Sequence, residues 1–448
     1  MLAQSIVNEV DIVFLGRLPC PESSNTQAAL LPSLVMLWAF GGSLSAISVG
    51  TQAFTARRDA EGRHVDAGSV LTNALALALG AGVVFTLLAY LAMDSVIALA
   101  APTAAVREAA RSYLEWRLLG ITSMAATFAL KAFFDGIGKT HVHLVASVVM
   151  NVLNVILCVV LIFGSPGLGV PKLGIAGAGI AGFVSTWVGL AVMVAFALRP
   201  GCRARYQPFR APSLSRALSW DLVKLSTPSG VATVVIMTGV MMFVAIALKL
   251  DELAPIGAVS ALCPGGKAEP VNGAATTVII GLLKLTFSAG LAFGTSTATL
   301  VGQSLGEKDA AKAEAFGWTS AKLGLLIFGV VGLVELAFAP QILAFVTHSP
   351  LVQAAALTPL RIMGIATPII AVGMIMVEAL FGAGNTRFVM IAQFSLHFGV
   401  LVPFAYVLGV VFGLGLSGIW IAAGCYALAL AAVMCWKFRR GEWKTIAL

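Results

Sequence analysis

The sequence predicts an all-α polytopic membrane protein with twelve transmembrane helices in two pseudo-symmetric six-helix lobes. Composition is the first reason. Of 448 residues, 59% are hydrophobic and 11% charged, against roughly 45–50% and 25% in soluble globular domains. The second reason is the spacing of apolar runs, each near the roughly 20 residues that cross a bilayer as helix. The third is a duplication. Phe134-Asp135-Gly136-Ile137-Gly138-Lys139-Thr140 returns as Phe381-Gly382-Ala383-Gly384-Asn385-Thr386 with one residue fewer after the Phe, and Leu173-Gly174-Ile175-Ala176-Gly177 returns as Leu414-Gly415-Leu416-Ser417-Gly418. The order is kept and the offsets nearly agree, so half the chain is repeated rather than a short solenoid unit. Two membrane-embedded halves with a site between them is a common build of secondary transporters.

Taken in order, the spans of the first half run near 1–17, 29–54, 68–92, 112–134, 142–163 and 173–198. Those of the second half run near 222–249, 274–301, 317–345, 356–381, 388–411 and 415–437. The domains expected are therefore an N-terminal lobe over 1–198, a linker over 199–219 with Pro200, Pro208 and Pro212, and a C-terminal lobe with a short basic tail over 220–448. The first span is short, about 24 Å of helix before Gly16-Arg17 against a hydrocarbon core of about 30 Å. A start inside lipid would leave amides unsatisfied, so the true start is expected upstream of Met1. Met1-Leu2-Ala3-Gln4 has no basic n-region, and no cleavable signal is expected.

Sixteen Lys and Arg lie in loops after the even spans, in the linker and in the tail, against six after the odd spans. The positive-inside rule then puts both termini in the cytoplasm, in the inner or plasma membrane. The net charge of +8 is thus read as a topology signal. With no basic face and no aromatic interleaving, nucleic acid is not an expected partner.

Motifs for chemistry are few. Gly138-Lys139-Thr140 lacks the glycine that a phosphate loop needs at position 133, where Phe133 stands. It reads as a tight turn between helices. Dispersed histidines and the absence of a metal-ligand spacing point to no enzyme, no metal and no cofactor. Cys158, Cys425 and Cys435 sit in apolar runs and read as core residues, while Cys20 and Cys263 fall in corresponding loops where a disulfide stays open.

Ionisable residues within apolar runs are costly and mark function by default. Asp11 is the clearest in the first half and Glu378 in the second, with Glu335 a weaker instance. Loss of water favours the neutral form of a carboxyl, which suits a group that takes up and releases a proton in each cycle. A structural acid held by a neighbouring helix is the competing reading. Lys131 and Asp135, four apart, are expected to pair. Lys284 has no acid at helical spacing and either meets one from another helix or lines a polar cavity. Glu115 and Arg117 read as snorkelling side chains at the interface. Asn151 and Asn154 share a helix face, as hydrogen-bonding partners for an ion or as packing glue.

Leu300-Val301-Gly302-Gln303-Ser304-Leu305-Gly306-Glu307-Lys308-Asp309-Ala310 resembles the signature that ends the eighth helix of the multidrug and toxic compound extrusion (MATE) family. Asp11 to Arg17, the Gly136–Thr140 and Gly382–Thr386 turns, and Pro403-Phe404-Ala405-Tyr406 resemble further family segments in the same order. The resemblance implies two lobes around a V-shaped central cavity and export of organic, often cationic, compounds in exchange for protons or sodium. It maps the family's first-helix acid onto Asp11 and its N-x-x-x-D element onto Asn154 with Cys158 in place of the aspartate. A thiol does not replace a hard oxygen ligand, so protons are preferred to sodium. The expected ion-coupling residues are Asp11, Asn154 and Glu378, and those of the substrate cavity are Asn151, Lys284 and Gln303. The partners expected are a small organic molecule, a proton or sodium ion, and the bilayer. A flippase for a lipid-linked anionic precursor, with Lys131, Lys284 and Arg117 as a basic cavity, is the alternative.

Overall fold

The computed structural model describes residues 11, 14, 15 and 18, then 22–100, 104–165, 167, 169–210, 213–253, 271–347 and 350–446. Cys20 and Cys263, and the start of the first predicted span, lie outside these. Among the described residues the chain is helical, and an isolated bridge between Ser165 and Val170 is the strand-like pairing present. Eleven helical segments are long and apolar enough to cross a membrane, and they match the second to twelfth predicted spans. Asp11, Phe14 and Leu15 are helical within the first.

The chain divides into two compact units, Met1–Gly230 and Val231–Leu448. Unit 1 holds α1 (Glu22–Phe40), α2 (Ala46–Ala60), α3 (His64–Ala100), α4 (Ala104–Arg117), α5 (Ile121–Gly136), α6 (His141–Phe163), α7 (Gly174–Leu198) and the short α8 (Pro200–Tyr206). Helix α9 (Arg216–Leu253) contains the boundary. Unit 2 continues with α10 (Val271–Gly306), α11 (Ala310–Ala337), α12 (Ala339–Val346), α13 (Pro350–Gly382), α14 (Thr386–Leu396), α15 (Val402–Tyr406) and α16 (Gly415–Arg440). Two π-helical turns, His397–Leu401 and Val407–Val411, flank α15.

Helix α6 has the pattern of a helix at the lipid boundary, with one buried stripe and large apolar residues outward, whereas α5 is buried nearly all round. On α6, Ala146, Met150, Asn154, Cys158 and Ile162 are buried at every fourth position, while Leu144, Val148, Val152, Ile156 and Val159 are exposed. Helices then approach through glycine. A Cβ on Gly332 would lie 2.2 Å from the Gly364 carbonyl oxygen, so α11 and α13 touch backbone to backbone. That carbonyl is four residues before Pro368, which has no N–H to offer it.

The duplication extends to individual hydrogen bonds. After α5, the amides of Ile137, Gly138 and Lys139 donate to the carbonyls of Phe133, Asp135 and Phe134. After α13, those of Ala383, Gly384 and Asn385 donate to Ala379, Phe381 and Leu380, each 246 residues further on. Phe381 therefore stands in the place of Asp135, and the one-residue gap expected from matching Phe134 to Phe381 does not exist. The same three bonds close α2 at Glu61, Gly62 and Arg63 and close α10 at Glu307, Lys308 and Asp309. All four are Schellman-type ends with a left-handed residue: Gly62, Gly138 and Gly384, but Lys308 with φ 62° in the fourth.

The 199–219 segment is tied down along its length on unit 1. Asn73 Nδ2 donates to the Ser213 carbonyl, and its Oδ1 accepts from the Ser215 amide and the Ser219 hydroxyl. The Phe209 amide donates to Thr72 Oγ1. Tyr206 donates to Asp59 Oδ1 at 2.9 Å. Burial, then that bond, pushes the Tyr206 hydroxyl above its usual range, so it stays a donor.

Candidate functional site

Four buried side chains of unit 1, Tyr113, Arg117, Asn154 and Cys158, gather around Asp11, which is 0% exposed. Tyr113 Oη donates to its Oδ2 at 2.8 Å, and Arg117 Nε donates to the same Tyr113 oxygen at 3.2 Å. The Cys158 thiol lies 3.6 Å from Asp11 Oδ1 and 3.9 Å from Asn154 Oδ1, and its single hydrogen serves one or the other. Asn154 Nδ2 is buried with no hydrogen-bond partner among the described residues. A carboxylate, a guanidinium, a phenol, an amide and a thiol thus share one buried cluster, reached from the first span, α4 and α6.

Local structure places each of them. On α4, Val106, Ala110, Tyr113, Leu114 and Arg117 form the buried stripe, at the three- and four-residue spacing of one helix face. Helix α7 lets that face come close, because a Cβ on Gly179 would stand 2.6 Å from the Tyr113 carbonyl oxygen and one on Gly182 would stand 2.4 Å from Arg117 Nη1. The guanidinium lies flat on the surface that Gly182 leaves open. On α6, Asn154 and Cys158 are one turn apart on the buried stripe already described.

Arg117 departs from the sequence reading. It was expected at the interface with Glu115, but it is 5% exposed while Glu115 is exposed and bonded to Arg111. Tyr113 was not anticipated. The signal for both was present in the α4 stripe, where Arg117 takes the position that an apolar residue would otherwise fill. Lys131 and Asp135 pair as expected, at 2.6 Å and nearly fully buried. Cys158 is buried as expected, but Cys425 is exposed and Cys435 is half-buried.

The remaining candidates are in other places. Asn151 is half-buried on α6, one turn before Asn154. In unit 2, Lys284 is exposed and Gln303 half-buried on α10; nineteen residues of helix put them roughly 28 Å apart. Glu378 is half-buried on α13 beside Gly294, where a Cβ would lie 2.7 Å from its Cγ. No single small site holds Lys284 and Gln303 together. Glu335 accepts hydrogen bonds from Thr286 at 3.3 Å and from Thr367 at 2.7 Å, two threonines on neighbouring helices that the sequence did not assign to it.

A duplicated, all-helical, multi-pass membrane protein with a buried acid cluster in its first half has the build of a secondary transporter. The MatE family model matches residues 1–160 and 265–407, and the chain belongs to that family of membrane transporters. The probable multidrug resistance protein NorM of Thermotoga maritima is 25% identical over 99% of this chain and 90% of its own length. The corresponding NorM of Caulobacter vibrioides is 23% identical over 98% and 88%. Among solved structures, an outward-facing multidrug resistance MATE family transporter of the MOP superfamily superposes with TM-score 0.87 at 22% identity, covering 100% of this chain and 94% of its own. A MATE protein in a bent conformation gives 0.85 at 20% identity, over 98% and 91%. At these identities the structures establish the fold.

Proposed function

We propose that the protein is an antiporter that exports small organic, often cationic, compounds across the inner or plasma membrane in exchange for protons. Both termini face the cytoplasm in this reading, and the two units alternate access to the substrate. The observation that carries it is the Asp11 cluster: one carboxylate, shielded from water and held by Tyr113, in the unit where Arg117 and Asn154 are also buried. A proton on Asp11 removes an internal charge and gives one carboxyl oxygen an O–H donor while the other still accepts, so that a proton on Oδ1 leaves the Tyr113 bond to Oδ2 in place and turns the Cys158 side of the cluster from donor to acceptor. Names of the NorM relatives support multidrug compounds as the cargo.

Protons are favoured over sodium by the ligand set. A hard cation wants several oxygens, whereas here one flank of Asp11 is a thiol and the next charge along the hydrogen-bond chain is a guanidinium. Asp11, with Asn154 as a neighbour, is assigned to ion coupling, and Glu378 is kept as a second acid in unit 2. The driving force suffices, since a proton is worth about 2.3 kcal/mol per 100 mV, or roughly fiftyfold accumulation. The flippase reading loses support because Lys131 is neutralised by Asp135 and Arg117 is compensated by Asp11 through Tyr113.

The test is efflux of a fluorescent organic cation from proteoliposomes under an imposed proton gradient and then a sodium gradient, with wild type and Asp11→Asn side by side. Proton-driven flux that disappears in the variant is expected. Flux driven by sodium alone, or unchanged flux in Asp11→Asn, would overturn the coupling assignment.

A further inference from the structure

The start of α9 and the facing part of α3 enclose a groove of about 590 Å³ in unit 1, within the size range of ligand sites. Arg216, Ala217, Ser219, Trp220 and Val223 line it from α9, and Leu77 lines it from α3. Positions 216, 220 and 223 fall on one helix face, at four- and three-residue spacing. The other face of α9, with Leu218, Leu222, Leu225 and Ser226, is buried. It packs on α2, where a Cβ on Gly50 would stand 2.5 Å from Ser226 Oγ. One side of the helix thus belongs to the fold, and the other is left to the groove. The base of the groove is pinned, because Ser219 Oγ donates to Asn73 Oδ1 at 3.0 Å and Asn73 is one turn before Leu77 on α3. That hydroxyl hydrogen is used, so the charged donor of the groove is Arg216.

The charge of Arg216 is not cancelled. It is exposed and pairs with no carboxylate among the described residues. On α9 the nearest acid in sequence, Asp221, lies 3.8 Å from Lys224 and also in the field of Arg58 from α2. On α3 the acid before Leu77 is Asp66, which is bonded to Arg63. The start of α9 is therefore positive. Its polarity then changes along the helix. Seven residues, roughly 10 Å, separate Arg216 from Val223. The apolar run of α9 begins near 222, so Arg216 stands ahead of it and Val223 within it. Trp220 lies between them and is 58% exposed, with Lys224 Nζ 5.7 Å from the centre of its ring. Tryptophan is enriched at this level of a membrane, where one end of the ring system is apolar and the other wet. A cation, then an indole, then aliphatic side chains is the order in which a phospholipid presents its phosphate, glycerol and chains.

We propose that this groove is a binding site for an anionic phospholipid, with the headgroup phosphate on Arg216 and the upper acyl chain along Trp220, Val223 and Leu77. Charge complementarity sets the class, as in other basic pockets between membrane helices. A guanidinium takes a phosphodiester through two parallel hydrogen bonds. A zwitterionic headgroup brings a cation of its own, and the acid that could receive it, Asp221, already has Lys224 and Arg58 beside it. A soluble anion would meet Arg216 and nothing in the groove beyond it. The site is independent of the cargo and of the coupling ion.

Trp220 lies in the groove and reports on its occupant. The full chain is reconstituted in phosphatidylcholine bilayers in which a minor fraction is exchanged for phosphatidylglycerol or phosphatidylcholine brominated high on the acyl chains. The Trp220 signal is each protein minus its own Trp220→Phe counterpart. Phosphatidylglycerol is expected to quench it as a ligand about fivefold tighter than phosphatidylcholine, the factor for one basic residue at a membrane surface. Arg216→Gln brings that ratio to about one, and Arg216→Lys keeps part of it. Ala217→Phe fills the groove from an exposed position and lowers the ratio with Arg216 intact. Arg210→Gln removes an exposed charge of the same segment that does not line the groove, and leaves the ratio unchanged. Inorganic phosphate in excess also leaves it unchanged. A ratio of about one in wild type, or a ratio that survives Arg216→Gln or Ala217→Phe, would overturn the proposal. An equal fall in Arg210→Gln would overturn it too, since it marks a diffuse surface charge and not a site. Displacement by inorganic phosphate would make Arg216 a soluble-anion site and end the lipid assignment.

Discussion

The two units share their backbone turns but not their buried polar groups. The hydrogen bonds that close α5 and α13 are the same three, 246 residues apart, and so are those that close α2 and α10. The close approaches repeat as well. Gly136 lies on the Gln52 carbonyl and Gly382 on the Ala298 carbonyl, again 246 residues on in both partners. At the same offset, Tyr113 and Arg117 become Pro359 and Met363. The stretch corresponding to Asn154–Cys158 falls within Val400–Ala405 and has no amide or carboxylate side chain. What the repeat preserves is geometry that any six-helix lobe needs in order to pack. The Tyr113–Arg117 pair that holds Asp11 occurs in one copy, and the coupling role proposed for that acid belongs to this copy alone.

The largest effect expected from breaking this asymmetry is functional. Asp11→Asn should reduce proton-driven efflux to the level of empty liposomes, while Glu378→Gln should cost less than about tenfold. Equal losses in the two variants would make the units functionally equivalent. Next comes packing at the paired glycines. A Cβ on Gly382 would lie 2.2 Å from a backbone oxygen, whereas on Gly136 the nearest atoms are Thr55 Cβ at 2.9 Å and the Gln52 oxygen at 3.1 Å. Gly382→Ala is therefore expected to destabilise by about 3 kcal/mol and Gly136→Ala by about 1–2 kcal/mol, read as thermal unfolding in detergent.

A finer comparison lies at the helix ends. Gly62→Ala places a side chain at φ 77° and should cost about 1 kcal/mol. Lys308→Gly relaxes the one non-glycine among the four left-handed positions and should raise stability by about 0.5–1 kcal/mol. If Lys308→Gly is destabilising, Lys308 makes a compensating contact that the repeat does not predict. Smallest of all, Asn73→Ala removes three bonds to the 199–219 segment. It should raise proteolysis near Ser213 without lowering efflux more than about twofold.

Much of the fold was legible because bilayers read composition and length. Apolar runs, basic loops and the repeated glycine turns are local in sequence, and eleven spans are where those signals put them among the described residues. The register of the repeat was misread by one residue, since Phe134 and Phe381 look alike but are not equivalent. The second half also has π-helical turns in its fifth span. There the offset grows from 246, at Lys139 and Asn385, to 247, at Leu161 and Leu408, the carbonyls that accept from Leu173 and Leu414. A π-turn absorbs an extra residue without interrupting a helix, and no motif marks it.

For the site, the sequence by itself determined that Asp11 is a costly acid in an apolar run; it put Asn151 and Asn154 on one face, whereas the structure buries Asn154 with Cys158 and leaves Asn151 half-buried. It also determined the Lys131–Asp135 pair, because partners four apart on a helix meet whatever surrounds them. Only the tertiary structure decided that Asp11 meets Tyr113, 102 residues away, and that Arg117 joins them instead of reaching the interface. Those contacts depend on how far α4 and α7 approach and on which way each helix is turned. The close approach depends on the missing side chains of Gly179 and Gly182. A charged residue at a helix end can snorkel or be buried, and the choice belongs to the neighbour that leaves room for it.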